Sequence, residues 1–189
     1  MSRSRKIIFL DRDGVINKDP GGWTRYNYVT DWGEFVFLPG ALDALRELTK
    51  AGYDIIIISN QGGISKGYFT EHQLNKVNER MVQEIKKYGG SIRKIYYCIH
   101  HDKDNCNCRK PKTGLFEKAA KELKLKFEGN YFIGDGLTDI DAGKRIGLKT
   151  ILLLCGKTNL DMLNNFSMRP DYIFMDLKEA VDFVLKEGV

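Results

Sequence analysis

Apolar residues along this chain fall into two alternating rhythms. Short continuous runs occupy Lys6–Leu10, 54–59, 92–99, 130–133 and 150–154, with a weaker one at Tyr172–Phe174. Runs rich in Ile, Val, Leu, Phe and Tyr, without polar alternation, predict strands covered on both faces of a parallel sheet. Between them the spacing turns helical. Leu42, Leu45 and Leu48 share one helix face, and Gly52 follows as a stop. Leu74, Val77, Met81 and Ile85 repeat the pattern behind a capping box of Thr70 and Gln73, with Gly89 and Gly90 as terminators. Leu115, Phe116, Ala119, Ala120 and Leu123 mark a third helix, 139–146 a short fourth and 177–186 a fifth. This alternation predicts one α/β domain over residues 1–189, a doubly wound, Rossmann-like parallel sheet with right-handed crossovers.

Ligands of such sheets bind beyond the carboxyl ends of the strands, so chemistry is expected there. The longest irregular stretch, 18–38, is rich in Gly, Tyr, Trp and Asp, and a loop of that length in a compact domain usually serves function. Its Tyr26, Tyr28 and Trp32 either line a substrate or pack the loop. Composition narrows the classes. At 42% hydrophobic and 29% charged, the chain can bury a core, which excludes wholesale disorder. The net charge of +5 is scattered, and the basic cluster at 3–6 is too short to carry nucleic-acid binding. The longest apolar runs, 55–58 and 151–155, fall far short of the roughly 18 residues of a membrane span. The start lacks the longer apolar stretch of a secretion signal. A cytoplasmic protein without a membrane partner is expected.

The strand ends hold the candidate chemistry. The first runs into Asp11-Arg12-Asp13-Gly14, two carboxylates that would point the same way if the strand continued, then a glycine that permits a sharp turn. Such a pair can hold a divalent cation, divide nucleophile and acid/base roles, or form a solvated turn. The second ends in Ser59-Asn60-Gln61-Gly62-Gly63, an anion cradle of backbone N–H groups or an ordinary polar turn. The fourth ends in Gly134-Asp135-Gly136-Leu137-Thr138-Asp139, where Asp139 either supports a metal or caps the next helix. Arg109-Lys110-Pro111-Lys112 precedes the third helix, and cations beside a helix start attract phosphate. Cys98-x-His100 and Cys106-x-Cys108 offer four ligands suited to a closed, structural Zn2+ site, with the spacing favouring His100 over His101. Unliganded thiols in a surface loop are the alternative. Cys155 is read as a buried core thiol.

In combination these segments are more specific than any one alone. Asp-x-Asp-Gly, Ser-Asn, Lys-Pro and Gly-Asp-x-x-x-Asp, in this order over 6–154, resemble the four motifs of the haloacid dehalogenase-like phosphohydrolase superfamily. The resemblance implies that Asp11 is a nucleophile forming an aspartyl-phosphate, with Asp13 as acid and base. It implies Mg2+ held by an Asp11 oxygen, the Asp13 backbone carbonyl and Asp135, and phosphoryl oxygens bound by Ser59, Asn60 and Lys110. The intervals between motifs leave no room for a cap domain, so the site should be open, walled by loop 18–38 and the Cys/His knot at 98–108. Cys-x-His followed by Cys-x-Cys-Arg-Lys-Pro is similar to the D-glycero-D-manno-heptose 1,7-bisphosphate 7-phosphatases and the related histidinol-phosphate phosphatases. Segments 13–17 and 59–69 resemble the heptose branch, and imply Asn17, Gln61, Lys66 and Arg109 around a sugar bisphosphate.

The implied partner is a small phosphorylated metabolite, and a monomer is expected. There are two departures: loop 18–38 is longer than in the compact heptose enzymes, and Gly136 stands where those enzymes often carry a lysine. Two rivals predict other behaviour. One is a phosphatase for another small phosphomonoester, histidinol phosphate first. The other is a zinc-stabilised nucleic-acid-binding module, which requires basic and aromatic residues on one face and steep salt dependence.

Overall fold

The computed structural model describes residues 6–165 and 167–187, so the basic cluster at 3–6 lies outside it except for Lys6. The apolar runs become β1 (Lys6–Leu10), β2 (Tyr53–Asn60), β3 (Lys94–Cys98), β4 (Tyr131–Gly134), β5 (Lys149–Leu153) and β6 (Tyr172–Phe174). They pair in parallel in the order β3-β2-β1-β4-β5-β6. The helical stripes become α1 (Ala41–Lys50), α2 (Glu71–Lys87), α3 (Gly114–Leu123), α4 (Leu137–Arg145) and α5 (Leu177–Glu187).

Alternate residues of each strand point to opposite faces, which explains why the runs are apolar throughout. Ile8, Leu10, Ile55, Ile57, Ile133 and Ile151 pack with the inner faces of α1, α2 and α5. Phe9, Ile56, Ile58 and Phe132 pack with α3 and α4 on the other side. Helix α2 begins at the expected capping box: the Gln73 N–H donates to Thr70 Oγ1 at 3.2 Å and the Thr70 N–H to Gln73 Oε1 at 2.9 Å. Helix α4 starts at 137 rather than 139, because an Asp139 oxygen accepts the Gly136 N–H at 3.1 Å and so makes Gly136 the capping position.

Loop 18–38 is tied down rather than free. The Lys18 N–H donates to the Val36 carbonyl, and the Leu38 N–H to that of Ile16. Trp32 stacks on Phe35 at 4.9 Å, and Phe35 meets Phe37 edge-on at 5.0 Å. Trp32 therefore packs the loop, while Tyr26 stacks on Tyr68 at 4.7 Å beside the cleft. This loop alone joins β1 to α1, and α2 alone separates β2 from β3, so no cap domain is inserted among the described residues. No helix among them is long and apolar enough to cross a membrane.

The topology decides where chemistry can sit. β1 and β4 are neighbours, yet the chain leaves β1 toward β2 and leaves β4 toward β5, in opposite directions. A crevice opens at that switch point, beyond the strands' carboxyl ends. Leu10 pairs with Ile133, and the Asp11 N–H still donates to the Ile133 carbonyl at 2.9 Å. The residues that follow, Asp11 and Asp135, emerge side by side.

Phe116 is fully buried, 5.4 Å from the ring of Phe9 and 5.0 Å from that of Phe132. Urea denaturation of Phe116→Ala is expected to show a loss of about 3–5 kcal/mol. Tyr88→Ala, at a position 55% exposed, should cost less than about 0.5 kcal/mol.

Candidate active site

Asp11, Asp135 and Asp139 come together at the switch point, one oxygen from each lying within 4.8 Å of the others. All three are buried. Lys110, itself buried, reaches in from the segment before α3. Its ammonium lies 3.0 Å from Asp11 Oδ2 and 2.7 Å from Asp139 Oδ1, and donates to the Ile58 carbonyl at 2.8 Å. Lys157, from the turn after β5, lies 3.1 Å from Asp135 Oδ1, and its backbone N–H donates to Asp135 Oδ2 at 2.9 Å. Asp139 thus takes the expected capping role with one oxygen, while the other faces Lys110.

Three carboxylates against two ammonium groups leave one negative charge in excess when all are ionised. Burial pushes the acidities of Asp11 and Asp135 to higher pKa than usual, Lys110 and Lys157 respectively pulling the other way. For Asp139, burial is outweighed by Lys110 and Lys157, and its pKa falls. Lys110 resists the effect of burial because Asp11 and Asp139 hold its proton, so its pKa rises. Asp135 Oδ1 and Asp139 Oδ1 are buried and lack a well-aligned hydrogen bond. Hard carboxylate oxygens with spare coordination, clustered in a net-negative pocket, fit a divalent cation such as Mg2+.

The Asp13 carboxylate belongs to a different set. Strand β1 ends at Leu10, so the alternation that would align Asp13 with Asp11 is already lost. Asp13 Oδ1 accepts from Arg12 Nε at 3.2 Å, Arg12 Nη2 at 3.0 Å and Asn17 Nδ2 at 2.8 Å, and Oδ2 accepts from Gln61 Nε2 at 2.8 Å. Burial alone would raise its pKa, but the Arg12 guanidinium with Asn17 and Gln61 lowers it. Arg12 was a mere spacer in the sequence pattern. It is 1% exposed, and its Nη1 donates to Asn78 Oδ1 on α2 at 3.2 Å.

A cleft of about 640 Å³ opens over this floor, lined among others by Asp11, Asp13, Ser59, Asn60, Arg109 and Lys110. Asn60 clasps the main chain of Lys110, donating to its carbonyl at 3.1 Å and accepting its N–H at 3.0 Å. Ser59 Oγ accepts from Gln61 Nε2 at 2.9 Å. Arg109 Nε is 2.6 Å from Asp102, while its Nη1 is buried without a partner. Asn17 and Gln61 are buried behind Asp13 and do not line the cleft. Lys66 does not line it either, donating at 3.3 Å to the hydroxyl of Tyr28, which does.

The knot closes beside this wall. Cys98 Sγ lies 3.5 Å from His100 Nδ1, 3.6 Å from Cys106 Sγ and 3.1 Å from Cys108 Sγ. His100 Nδ1 to Cys108 is 3.2 Å, and Cys106 to Cys108 is 3.5 Å. A tetrahedral ion bound at zinc–sulfur lengths needs ligand separations of roughly 3.8 Å, close to this arrangement. All four cysteines are free thiols. His101 is turned elsewhere: its Nδ1 accepts the Lys103 N–H at 3.1 Å. Cys155 packs against the core as expected, but its burial is incomplete. It is half-buried, and its thiol donates to the Gly14 carbonyl at 3.6 Å, next to the acidic floor.

Lys157 escaped the sequence reading, although its place just beyond the β5 terminus is a signal of the kind used for the other strands. The fold and these four motifs define a class, and known proteins agree with it. A family profile described as HAD-hydrolase-like matches residues 107–180. The D-glycero-beta-D-manno-heptose-1,7-bisphosphate 7-phosphatase of Neisseria meningitidis serogroup A is 35% identical over 185 residues, covering 97% of this chain and 96% of that one. The protein of the same name from Haemophilus influenzae is 38% identical, with 89% and 90% covered. Among solved structures, the D,D-heptose 1,7-bisphosphate phosphatase from B. bronchiseptica, complexed with magnesium and phosphate, matches with a TM-score of 0.88 and 30% identity, covering 96% of this chain and 99% of that one. The chain belongs to the haloacid dehalogenase-like hydrolases. Within that class, the relatives it matches nearly end to end are the heptose-bisphosphate 7-phosphatases.

Gly14 has φ of +77°, and a Cβ there would lie 2.1 Å from Asp135 Oδ2; Gly52 has φ of +80° with nothing within 4 Å. Gly52→Ala should cost about 1–2 kcal/mol from backbone strain alone. Gly14→Ala should cost clearly more in the same urea titration, and an equal loss would mean that Asp135 does not press on Gly14.

Proposed function

We propose that this chain is a Mg2+-dependent phosphatase that removes the 7-phosphate of D-glycero-D-manno-heptose 1,7-bisphosphate through an aspartyl-phosphate. The observation that carries the reading is the convergence of Asp11, Asp135 and Lys110 at the sheet's switch point, on the floor of an open cleft. The near-full-length relatives support the heptose substrate over histidinol phosphate, and their names favour the beta anomer. An acidic floor also argues against a nucleic-acid backbone as the partner.

In this reading the Asp11 carboxylate attacks phosphorus in line, the sugar oxygen departs with a proton, and water then releases phosphate from Asp11. Asp13 delivers the first proton and removes one from the water. Release of its carboxyl from Arg12, Asn17 and Gln61 removes the donors that keep it strongly acidic, which prepares the same group to act as acid. Bound Mg2+, held by Asp11 and Asp135 with the Asp13 carbonyl, would offset the repulsion between an anionic nucleophile and an anionic phosphate. Ser59 and Lys110 offset phosphoryl charge, Asn60 fixes Lys110 in place, and Arg109, with its unpartnered Nη1, is assigned to the rest of the bisphosphate.

We assign Zn2+ to Cys98, His100, Cys106 and Cys108, where it fixes the segment that presents Arg109 and Lys110. Metal analysis of the purified chain should find one zinc per molecule, and a value well below one would remove this assignment. Asp11→Asn is expected to fold normally and to lose at least about a thousandfold in Mg2+-dependent phosphate release. Turnover close to the parent's would take the nucleophile role away from Asp11.

A further inference from the structure

The two lysines of the acidic floor are not equivalent. The Lys110 ammonium has three protons and three oxygens within 3.0 Å: Asp11, Asp139 and the Ile58 carbonyl. Its side chain is 1% exposed. It supplies a fixed positive charge, but one already surrounded by protein oxygens and almost wholly buried. The Lys157 ammonium meets a single carboxylate oxygen, Asp135 Oδ1 at 3.1 Å, and its side chain is 49% exposed. It lines the same cleft as Asp11, Ser59 and Asn60.

The base of that side chain is held, and only its tip is open. The Lys157 N–H is anchored on Asp135 Oδ2, and the adjoining Thr158 is buried. The methylene chain then passes over Gly136, where an added Cβ would lie 2.3 Å from Lys157 Cε and 2.9 Å from Nζ. The missing side chain at 136 is what leaves room for this lysine. A cation with an exposed tip, lining the same cleft as the nucleophile, is suited to an oxyanion.

We propose that Lys157 is a further phosphoryl-binding residue of this site, its exposed ammonium gripping a non-bridging oxygen of the transferring group where that of Lys110 is enclosed by the protein. The inference rests on the phosphatase reading above and deepens it. The device depends on Gly136 as much as on the lysine. Because the atom that a Cβ would displace is the far end of a flexible chain, Gly136→Ala should fold while pushing the ammonium away.

The test uses inorganic phosphate as the probe, binding to the Mg2+-loaded chain by calorimetry. The parent's hydrolysis of the heptose bisphosphate is measured first, and its absence would overturn the phosphatase reading itself. With the parent active, Lys157→Met should bind phosphate at least about tenfold more weakly and show a raised KM. Lys157→Arg should keep most of the binding, and Gly136→Ala should lose it in the same direction as Lys157→Met. Mg2+ titrated alone into Lys157→Met should bind at least as tightly as to the parent, since removing an ammonium beside Asp135 removes a competing cation. Parent-like phosphate binding by Lys157→Met, or loss of its Mg2+ binding, would overturn the role of Lys157 and leave the phosphatase reading standing.

Discussion

The structure depends on a buried charge balance at the sheet's switch point. Asp11, Asp135 and Asp139 cannot share so small and dry a volume unless cations stand among them. Lys110 does this with an ammonium enclosed by two carboxylates and a backbone carbonyl. Even after Lys157 is counted, the cluster keeps one negative charge in excess. That residual charge suits a divalent cation, which would in turn let the floor accept a phosphate.

Much of the surrounding architecture serves to keep Lys110 in place. Asn60 at the end of β2 clasps its main chain from both sides, and the Cys/His knot ends one residue before Arg109. A side chain on the segment before α3 is thereby brought to the carboxyl ends of β1 and β4. The parallel sheet supplies the rest. It delivers Asp11 and Asp135 just past the ends of adjacent strands, and Gly14 lets the chain turn hard against Asp135. The tight turn and the close carboxylate are a single arrangement.

The strands were legible in the sequence because a sheet covered on both faces has no polar alternation, and the helices because each buries one stripe. The strand-end residues were legible as motifs for the same reason: topology places them together whatever their neighbours do. Side-chain direction was not. Whether Asp13 follows Asp11 depends on where the ladder stops, and it stops at Leu10, turning Asp13 toward Arg12, Asn17 and Gln61. Arg12 reads as a spacer because nothing in a linear pattern reveals that Asn78, on α2, will face it. Asp139 could not be divided between cap and charge partner, since a carboxylate has two oxygens and this one uses both. The apolar neighbours of Cys155 point to the core, which it does touch, but past the end of β5 its thiol also reaches the Gly14 carbonyl.

Carboxylates far apart in the chain should form one cation site. Calorimetric titration of Mg2+ into the zinc-loaded chain tests it most directly, with Asp135→Asn beside the parent and circular dichroism to verify the fold. One Mg2+ should bind per parent chain, and none measurably to the folded Asp135→Asn variant. Equal Mg2+ binding by both would contradict a shared site.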